Sequence, residues 1–379
     1  MNKKILMISG EASGDLHGSS LMEALKRLSP SIEIKGMGGE RMRRAGLSGL
    51  DSTRLSVVGI AEVLKKLPAI RAAFKELAGM LERERFDCVV LIDYPDFNLR
   101  FAKEAGKRNV PIVYYISPQV WAWRSGRIKD IARLVTKMLV IFPFEEEFYK
   151  KSGVNAEYVG HPLTSTAVCG FTKDEARAEL GLNGANPVVA ILPGSRTEEI
   201  RRLLPLMLEG VSLFKKRLGR RLTVILPSAD GIDDGLLKEF LDKSGVDVSV
   251  FRKKTYTVMR AADIALVSSG TATLETALIG TPMVIVYKVS WLSYFIGRRL
   301  IGIDRIGLPN IVTGSMVVPE LIQDCVTPEN IEKEMSGIFE NPERLKFMED
   351  GYAGIRRSLT GGPAADKAAE AVMKVMGEA

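Results

Sequence analysis

Small and charged residues follow an apolar segment in the middle of the chain, in an order that suits an anion. In the run VVAILPGSRTEEI, Gly194, Ser195 and Arg196 come between a predicted strand and a predicted helix. A glycine allows a ligand close to the main chain, amides at a helix start favour negative charge, and a guanidinium can hold two phosphate oxygens. The pattern therefore predicts an anion site, and its alternative is a well-capped helix with a surface arginine.

A second group of small residues follows a strand that ends at Val267. The group consists of Ser269, Gly270, Thr271, Ala272 and Thr273. Their amides and hydroxyls form a cup for an anion, whereas a capped core helix would need only one Ser or Thr. Glu275 lies one helical turn beyond Thr271, where a carboxylate suits the vicinal hydroxyls of a ribose. The two groups together predict that a nucleotide binds to the second half of the chain.

An aspartate ends a buried strand in the first half of the chain. Asp93 follows the apolar run CVVLI, and Asp96 and Asn98 lie just beyond it. Partial removal from water raises the pKa of a carboxyl group toward values that suit a general base. We therefore predict that Asp93 is functional. The alternative, an aspartate that caps the following helix, fits Asp96 better than Asp93.

The elements that must position these residues alternate between strands and helices. Near-continuous apolar runs are separated by amphipathic segments, which indicates parallel sheets covered on both faces. The predicted strands are KILMIS, EIKGMGG, DCVVLID, VPIVYYIS and KMLVIFP in the first half, and PVVAILPGS, RLTVILPS, DVSVF, ADIALVSSG and PMVIVYKV in the second. Two Rossmann-like α/β domains in tandem are therefore expected, with ligands bound at the carboxyl ends of their strands, in a cleft between the domains.

We predict a first domain over residues 1–165 and a second over residues 166–354, because the strand pattern gives way to turn residues between Gly160 and Leu182. The last helical segment, from about residue 355 to residue 379, is expected to pack back on the first domain. With the nucleotide on the second domain, the loop GEASGDLH after the first strand is expected to hold the other substrate.

Composition excludes several classes of protein. The 379 residues are 46% hydrophobic and 26% charged, as in folded globular proteins. No apolar run is long enough to span a bilayer, and the short run near the N-terminus predicts a buried strand rather than an export signal. The three cysteines and two histidines lack metal-ligand spacing, so neither a structural metal nor a disulfide framework is expected. The net charge of +7 suits nucleic acid, anionic lipid or a phosphorylated substrate.

Taken together, these segments resemble the lipid-A-disaccharide synthases, which are inverting glycosyltransferases of GT-B architecture. The resemblance rests on GEASGD, IDYPDFN, SPQVWAWR, FPFE with the following GHP, LPGSR, SSGTATLE and LPN, which occur in the family's order between Gly10 and Asn310. It implies two facing Rossmann-like domains with a deep cleft between them. It also implies no cofactor and no metal ion, in keeping with a sequence that lacks an Asp-x-Asp motif.

The resemblance implies a specific reaction. The donor would be UDP-2,3-diacylglucosamine and the acceptor 2,3-diacylglucosamine 1-phosphate, and the products a β(1→6)-linked disaccharide 1-phosphate and UDP. Asp93 would take the proton from the acceptor 6-hydroxyl, with Asp96 and His17 as alternative bases. Arg196 and the amides of the two small-residue groups would stabilise the departing UDP.

The motifs imply two sets of ligand contacts. The expected donor contacts are Gly194, Ser195, Arg196, Ser269, Gly270, Thr271, Ala272, Thr273, Glu275 and Asn310. The expected acceptor contacts are Glu11, Ser13, Gly14, Asp15, His17, Asp96, Asn98 and Trp123. For the loop after the first strand, the alternative is a tight turn with a capped helix, which explains Gly10, Ser13 and Asp15 but not the whole cluster.

Two segments mix apolar and cationic residues as membrane-surface segments do, over residues 55–77 and 291–308. The first is equally well explained as an amphipathic helix on a core. In the second, the residues expected to face the membrane are Trp291, Phe295, Arg298 and Arg299. The resemblance implies lipid-bearing substrates and a peripheral location on the cytoplasmic face of the inner membrane of a Gram-negative bacterium. The oligomeric state stays open, with a homodimer as one alternative.

Two other functions compete with this interpretation. A UDP-N-acetylglucosamine 2-epimerase, or another UDP-sugar enzyme of the same fold, would share the two anion groups but not SPQVWAWR. A basic nucleic-acid-binding protein would share the positive charge, but the basic residues are dispersed and no recognition motif occurs. No nucleic acid is therefore expected as a partner.

Overall fold

The apolar runs of the sequence become parallel strands in two separate sheets. Residues 3–54, 60–118, 120, 125–182, 184, 186–229, 231–289 and 305–377 are described by a computed structural model of the chain. The chain divides into unit 1, which comprises Met1–Pro162 and Leu359–Ala379, and unit 2, which comprises Leu163–Ser358. The predicted α/β fold with two parallel Rossmann-like sheets is confirmed. The division lies three residues before the predicted boundary at residue 165.

Unit 1 contains a seven-stranded parallel sheet. Its strands are β1 (Lys4–Ser9), β2 (Glu33–Gly38), β3 (Ser48–Asp51), β4 (Cys88–Ile92), β5 (Ile112–Tyr115), β6 (Lys137–Val140) and β7 (Ala156–Tyr158). The helices between them are α1 (Ala12–Leu28), α2 (Glu40–Arg44), α3 (Ile60–Arg83), α4 (Pro95–Gly106), α5 (Ile128–Leu134) and α6 (Pro143–Lys151).

Unit 2 contains a six-stranded parallel sheet. Its strands are β8 (Val188–Leu192), β9 (Thr223–Ser228), β10 (Val248–Arg252), β11 (Ile264–Ser268), β12 (Met283–Tyr287) and β13 (Glu320–Ile322). Its helices are α7 (Leu163–Thr166), α8 (Lys173–Glu179), α9 (Thr197–Leu218), α10 (Asp234–Ser244), α11 (Thr255–Ala261), α12 (Thr271–Ile279), α13 (Leu308–Thr313), α14 (Pro328–Phe339) and α15 (Pro342–Leu359).

The last helix, α16 (Ala364–Val375), belongs to unit 1. Ala368 and Val372 on α16 are fully buried in one apolar cluster with Leu21 and Leu25 of α1. Burying these side chains against α1 holds the C-terminal helix on unit 1. The part of the chain that packs on unit 1 is therefore shorter than the predicted segment, because the residues up to 358 belong to unit 2.

Both sheets change direction at one central position. The strand order is β3-β2-β1-β4-β5-β6-β7 in unit 1 and β10-β9-β8-β11-β12-β13 in unit 2. The connections therefore diverge between β1 and β4 in one sheet and between β8 and β11 in the other. Loops that follow such a strand pair leave a crevice in which α/β proteins bind ligands. The strands in each pair end within one residue of each other, since Ser9 pairs with Ile92 at the ends of β1 and β4, and Leu192 at the end of β8 pairs with Val267, one residue before the end of β11.

The sequence predicted ten of the thirteen described strands but not β3, β7 and β13. The central strands β1, β4, β8 and β11 are almost wholly buried, which gives the continuous apolar runs that predict them. The three missed strands lie at sheet edges and are three or four residues long. An edge strand is covered less than a central one, so its sequence need not be apolar throughout.

Candidate active site

A cavity of about 350 Å³ lies at the switch point of the unit 2 sheet. It brings together both predicted anion groups: its lining includes Gly194, Ser195 and Arg196 after β8, and Ser269, Gly270, Thr271 and Ala272 after β11. Glu275, one turn into α12, also lines it. The helix starts of α9 and α12 therefore meet at one cavity, where their free amides favour an anion.

The loop after β8 carries an internal ion pair. The Arg196 side chain is 63% exposed, and its Nη1 lies 3.0 Å from Oε1 of Glu199. The amide of Ser195 donates to the other carboxylate oxygen of Glu199 at 3.1 Å. Glycine is required beside this pair: Gly194 has a φ of +115°, and a Cβ at this position would lie 2.3 Å from Glu199 Oε2.

Glu275 is positioned by a tyrosine that the sequence analysis did not single out. The hydroxyl of Tyr256, on α11, donates to Glu275 Oε1 at 2.8 Å. Burial raises the pKa of Glu275, and the hydrogen bond from Tyr256 opposes that rise. The side chain is thus held in one orientation, with its second oxygen available to other donors.

A second cavity, of about 530 Å³, shares Thr255 and Glu275 with the first. Its wall includes Phe171, Lys253 and Tyr256, so it combines aromatic and cationic side chains. The two cavities are therefore neighbours in unit 2, with Thr255 and Glu275 in the walls of both.

Two predicted donor contacts use their polar atoms inside unit 2. Asn310 is fully buried; its Nδ2 donates to Val318 O at 2.8 Å and to Glu320 Oε1 at 2.7 Å, and its Oδ1 accepts from the Val318 amide at 2.9 Å. Thr273 is also fully buried, and its hydroxyl donates to Gly270 O at 2.8 Å. Both residues stabilise the surrounding backbone, and their contact with a donor stays a prediction.

The Asn310 contacts belong to a network that supports the predicted phosphate cup. Glu320 also accepts from the amides of Ile306 and Gly307, each at 2.9 Å. The hydroxyl of Ser269 in turn donates to Ile306 O at 3.2 Å. The LPN segment and the SSGTATLE segment are therefore connected through partly buried hydrogen bonds.

In unit 1, Asp93 follows β4 in an uncommon backbone conformation. Asp93 and Tyr94 have φ values of 46° and 50°, in the left-handed region that residues other than glycine seldom adopt. The Asp93 carbonyl accepts from Asn98 Nδ2 and from the Tyr114 hydroxyl, each at 2.7 Å. Both donors are fully buried, and they hold the turn that presents the Asp93 side chain. Asn98 is therefore a support for Asp93 in this structure.

The electrostatic surroundings of Asp93 suit a general base. Burial and, to a lesser extent, the nearby charge of Glu11 raise the pKa of Asp93 from 3.8 to about 6, against a smaller opposing effect of the Tyr94 amide. At neutral pH the group is therefore mostly ionised, yet it is basic enough to accept a proton.

The loop after β1 lies beside Asp93, but its polar residues divide into two groups. Glu11 and Ser13 are exposed. Asp15 is buried, and its two oxygens accept the amides of Arg41 and Met42 at 3.0 Å each, which fixes the start of α2. Asp15 therefore caps α2 rather than its own helix α1, which differs from the expected turn with a capped α1, and its contact with an acceptor stays a prediction.

Close packing accounts for the glycines of the same loop. A Cβ on Gly14 would lie 2.4 Å from Ser9 Oγ, and one on Gly10 would lie 2.3 Å from the Tyr94 ring. Gly14 is therefore required for the contact of α1 with β1. Its predicted contact with an acceptor stays a prediction.

His17 lies on α1, two residues beyond Asp15. Burial lowers the pKa of His17 to about 4. Burial also lowers the pKa of His161 to about 3, with a smaller effect from the charge of His17, so the two histidines lie near each other. Both are neutral at pH 7. His17 can therefore donate or accept a hydrogen bond there, but it brings no positive charge to a phosphate.

The remaining predicted residues fall into two groups. Asp96 is exposed and pairs with Arg127. Trp123, Trp291, Phe295, Arg298 and Arg299 lie outside the described residues. For the segment 55–77, Ala73 and Leu77 are buried in the core of unit 1, and the Phe74 ring lies 5.6 Å from that of Phe97. The core alternative therefore holds for this part of α3.

Neither a metal cluster nor a membrane-crossing helix occurs in the part of the chain that the structure describes. No group of three His, Cys, Asp or Glu side chains there is arranged to hold a metal ion. No helix there is long and apolar enough to cross a bilayer.

The sequence agrees with one family over nearly its whole length. The model of the lipid-A-disaccharide synthetase family matches residues 5–373. A lipid-A-disaccharide synthase of Geobacter metallireducens is 44% identical over 378 residues, which cover 100% of this chain and 98% of that protein. The enzyme of the same name from Syntrophus aciditrophicus is 44% identical over 372 residues, with 97% of each chain covered. The chain belongs to the lipid-A-disaccharide synthetase family.

Solved structures of lower sequence identity share the fold of this family member. A UDP-N-acetylglucosamine 2-epimerase from Neisseria meningitidis, bound to UDP-N-acetylglucosamine, matches with a TM-score of 0.66 at 13% identity, over 98% of this chain and 100% of that one. A glycosyltransferase from Rickettsia africae matches with a TM-score of 0.59 at 10% identity, over 100% of both chains. At these identities the likeness shows the fold alone. The family match favours the synthase over the epimerase and nucleic-acid alternatives, and the predicted glycosyltransferase class is confirmed.

Proposed function

We propose that the chain transfers the sugar of UDP-2,3-diacylglucosamine to the 6-hydroxyl of 2,3-diacylglucosamine 1-phosphate, without a metal ion. One observation carries the assignment of the site. The two anion groups that sequence placed about seventy residues apart line a single cavity with Arg196 and Glu275. This arrangement suits a nucleoside diphosphate, whose charge requires amides and a guanidinium and whose ribose requires a carboxylate.

In unit 2, the diphosphate binds at the starts of α9 and α12, and the ribose hydroxyls bind to Glu275. The uracil ring of UDP occupies the second cavity, beside Phe171 and Tyr256. Arg196 and the amides at Ser195 and Thr271 stabilise the negative charge that develops on UDP. Preorganised donors of this kind often make the largest single contribution to catalysis.

In unit 1, Asp93 acts on the acceptor. Its carboxylate accepts the proton of the 6-hydroxyl as that oxygen forms a bond to the anomeric carbon. The bond from this carbon to the phosphate oxygen breaks, and its electron pair leaves with UDP, so the configuration at the carbon is inverted. A positioned general base contributes roughly 10²- to 10⁴-fold to the rate. Glu11, Ser13 and His17 offer hydrogen bonds to acceptor hydroxyls.

The lipid chains place this chemistry at a membrane surface. The net charge of +7 supports attraction to anionic lipids and to phosphorylated substrates. We propose a peripheral association on the cytoplasmic face of the inner membrane, to which Trp291, Phe295, Arg298 and Arg299 contribute. Sedimentation with vesicles that contain 30% anionic lipid, compared with neutral vesicles, tests the association: equal binding to both would contradict the electrostatic part.

The function is tested by incubating the purified chain with both substrates and measuring UDP release and the disaccharide product. We expect both products in equal amounts. UDP release or epimerisation with plain UDP-N-acetylglucosamine, and none with the lipid pair, would reject the proposal in favour of the epimerase.

A further inference from the structure

The cavity in unit 2 contains a carboxylate where the donor phosphate is expected. Glu199 accepts the Ser195 amide at 3.1 Å and pairs with Arg196 at 3.0 Å. These are the same two donors that the proposed function assigns to the diphosphate. An internal anion thus occupies part of the anion site.

The charges of the cavity make this occupation significant. Among the described residues of its lining, Arg196 is the one cationic side chain, whereas Glu199 and Glu275 are both acidic. A bound diphosphate would therefore share its one guanidinium with Glu199 and would also lie close to that carboxylate. Like charges at short range in a partly enclosed site repel.

Arg196 has room to exchange Glu199 for a bound diphosphate. The Arg196 side chain is 63% exposed, so it can turn away from Glu199 without breaking a packed core. Glu199 reaches the loop only because Gly194 has no side chain at this point. The ion pair between Arg196 and Glu199 joins a long, solvent-exposed side chain to a loop that is open to solvent. Exposed ion pairs of this kind contribute little free energy.

We propose that Glu199 is an internal competitor of the donor diphosphate. In the empty site it holds the Ser195 amide and Arg196; the diphosphate displaces it, and when UDP leaves, Glu199 takes both donors back. The inference rests on the proposed function, because it requires UDP to bind in this cavity. Its consequence is that Glu199 weakens UDP binding and speeds product release.

The competing explanation is that Glu199 caps helix α9, and it predicts the opposite change in UDP affinity when Glu199 is lost. Glu199 lies in the first turn of α9, where an acidic side chain that reaches back to a preceding amide stabilises the helix start. If Glu199 served only to hold the loop in its binding conformation, its loss would weaken UDP binding. The sign of the change in affinity therefore separates the two roles.

The test is calorimetric titration of UDP into the full chain and its Glu199→Gln variant. Glutamine has the same shape and keeps a carbonyl oxygen for the Ser195 amide, so this substitution removes the charge and little else. We expect the dissociation constant of UDP to fall about tenfold, which is equivalent to about 1.4 kcal/mol. Stopped-flow measurement of UDP release should show a slower rate, since most affinity changes in related complexes appear in dissociation.

Glu198→Gln is the matched control. Glu198 precedes Glu199 on the same turn, is 71% exposed and pairs with Arg202 at 3.4 Å. This variant loses the same charge without touching the loop, and we expect its UDP affinity to stay within about twofold of the parent. A tenfold gain in both variants would mean a general charge effect and would overturn the proposal.

Unchanged or weaker UDP binding by Glu199→Gln, in a variant whose thermal unfolding matches the parent, would also overturn it and leave Glu199 as a cap. If the variant is destabilised, the release rate of UDP from the folded fraction decides, because a cap predicts faster release and a competitor slower release. Failure of the proposed function looks different: the parent chain itself would not bind UDP, and Arg196→Ala would change nothing.

Discussion

Replacing Asp93 by asparagine should abolish turnover and, at the same time, stabilise unit 1. The pKa of Asp93 rises from 3.8 to about 6 on folding, mainly because of burial. A folded state that holds the proton more tightly than the unfolded state is penalised once that proton is lost. The difference of about 2 pKa units, at about 1.36 kcal/mol each, sets the penalty at about 3 kcal/mol as an upper value.

The sign of this effect fixes its pH dependence. Below about pH 4 Asp93 is protonated in both states, so its charge costs nothing. The penalty grows between about pH 4 and pH 6 and is complete above pH 6. Asparagine carries no charge, so the stability of the variant relative to the parent should rise over this interval and then stay constant.

The assay is scanning calorimetry of the parent and Asp93→Asn at pH 4.5 and pH 8. For a domain of this size, about 3 kcal/mol corresponds to a rise in Tm of about 6–12 °C for the transition of unit 1 at pH 8. The control is Asp96→Asn, three residues away, which replaces an exposed carboxylate and should give no such gain.

Two results would refute the reasoning. A Tm for Asp93→Asn that equals that of the parent at pH 8, or a gain of the same size at both pH values, would mean that the Asp93 charge is not desolvated. Turnover within tenfold of the parent would remove Asp93 as the base and direct attention to Asp96 or His17.

Three further predictions concern the supporting residues and the role of metals. Tyr114→Phe removes one of two hydrogen bonds to the Asp93 carbonyl and should lower kcat about tenfold with UDP affinity unchanged; a normal kcat in steady-state assays would mean that Asn98 alone holds the turn. Tyr256→Phe frees the Glu275 carboxylate and should weaken UDP binding about five- to tenfold by calorimetry, whereas unchanged affinity would remove Glu275 from the ribose site. EDTA should leave turnover unaffected, and a loss that magnesium restores would contradict stabilisation of UDP by Arg196 and amides.

The sequence predicted where the candidate residues lie better than it predicted their individual contacts. Long apolar runs identify central strands, and loops that follow them lie at the switch point, so Asp93, Arg196 and Glu275 could be placed beyond the ends of central strands from the sequence, while their roles stay predictions. The left-handed conformation at Asp93 could not be predicted, because it depends on a tyrosine from the next strand. Tyr256 was missed for the same reason: its partner is nineteen residues away and on a different helix.

Polar residues in the family motifs can either contact a ligand or support the backbone, and the motifs alone do not distinguish these two roles. Asp15 and Asn310 occur in segments that identify the family, yet the structure gives each of them backbone partners within its own unit. A short acidic side chain near a helix start is typical of capping, but Asp15 lies in the first turn of α1 and caps α2, so the sequence does not indicate its partners. The sequence also contains no signal for the partners of Asn310, which lie eight and ten residues further along the chain.

The same division of roles explains why hydrogen-bonding residues accompany the half-buried candidate groups Asp93 and Glu275 in the two units. Asp93 has Asn98 and Tyr114 behind it, and Glu275 has Tyr256. A carboxylate that must meet a substrate cannot be fixed by burial of its own oxygens, because those oxygens must stay available. Its orientation therefore has to come from hydrogen bonds to its backbone, as at Asp93, or to one of its two oxygens, as at Glu275. Loss of such a hydrogen bond should disturb the orientation of the carboxylate before it disturbs the fold. Kinetics and ligand affinity, rather than stability, are therefore the sensitive measurements for Tyr114 and Tyr256.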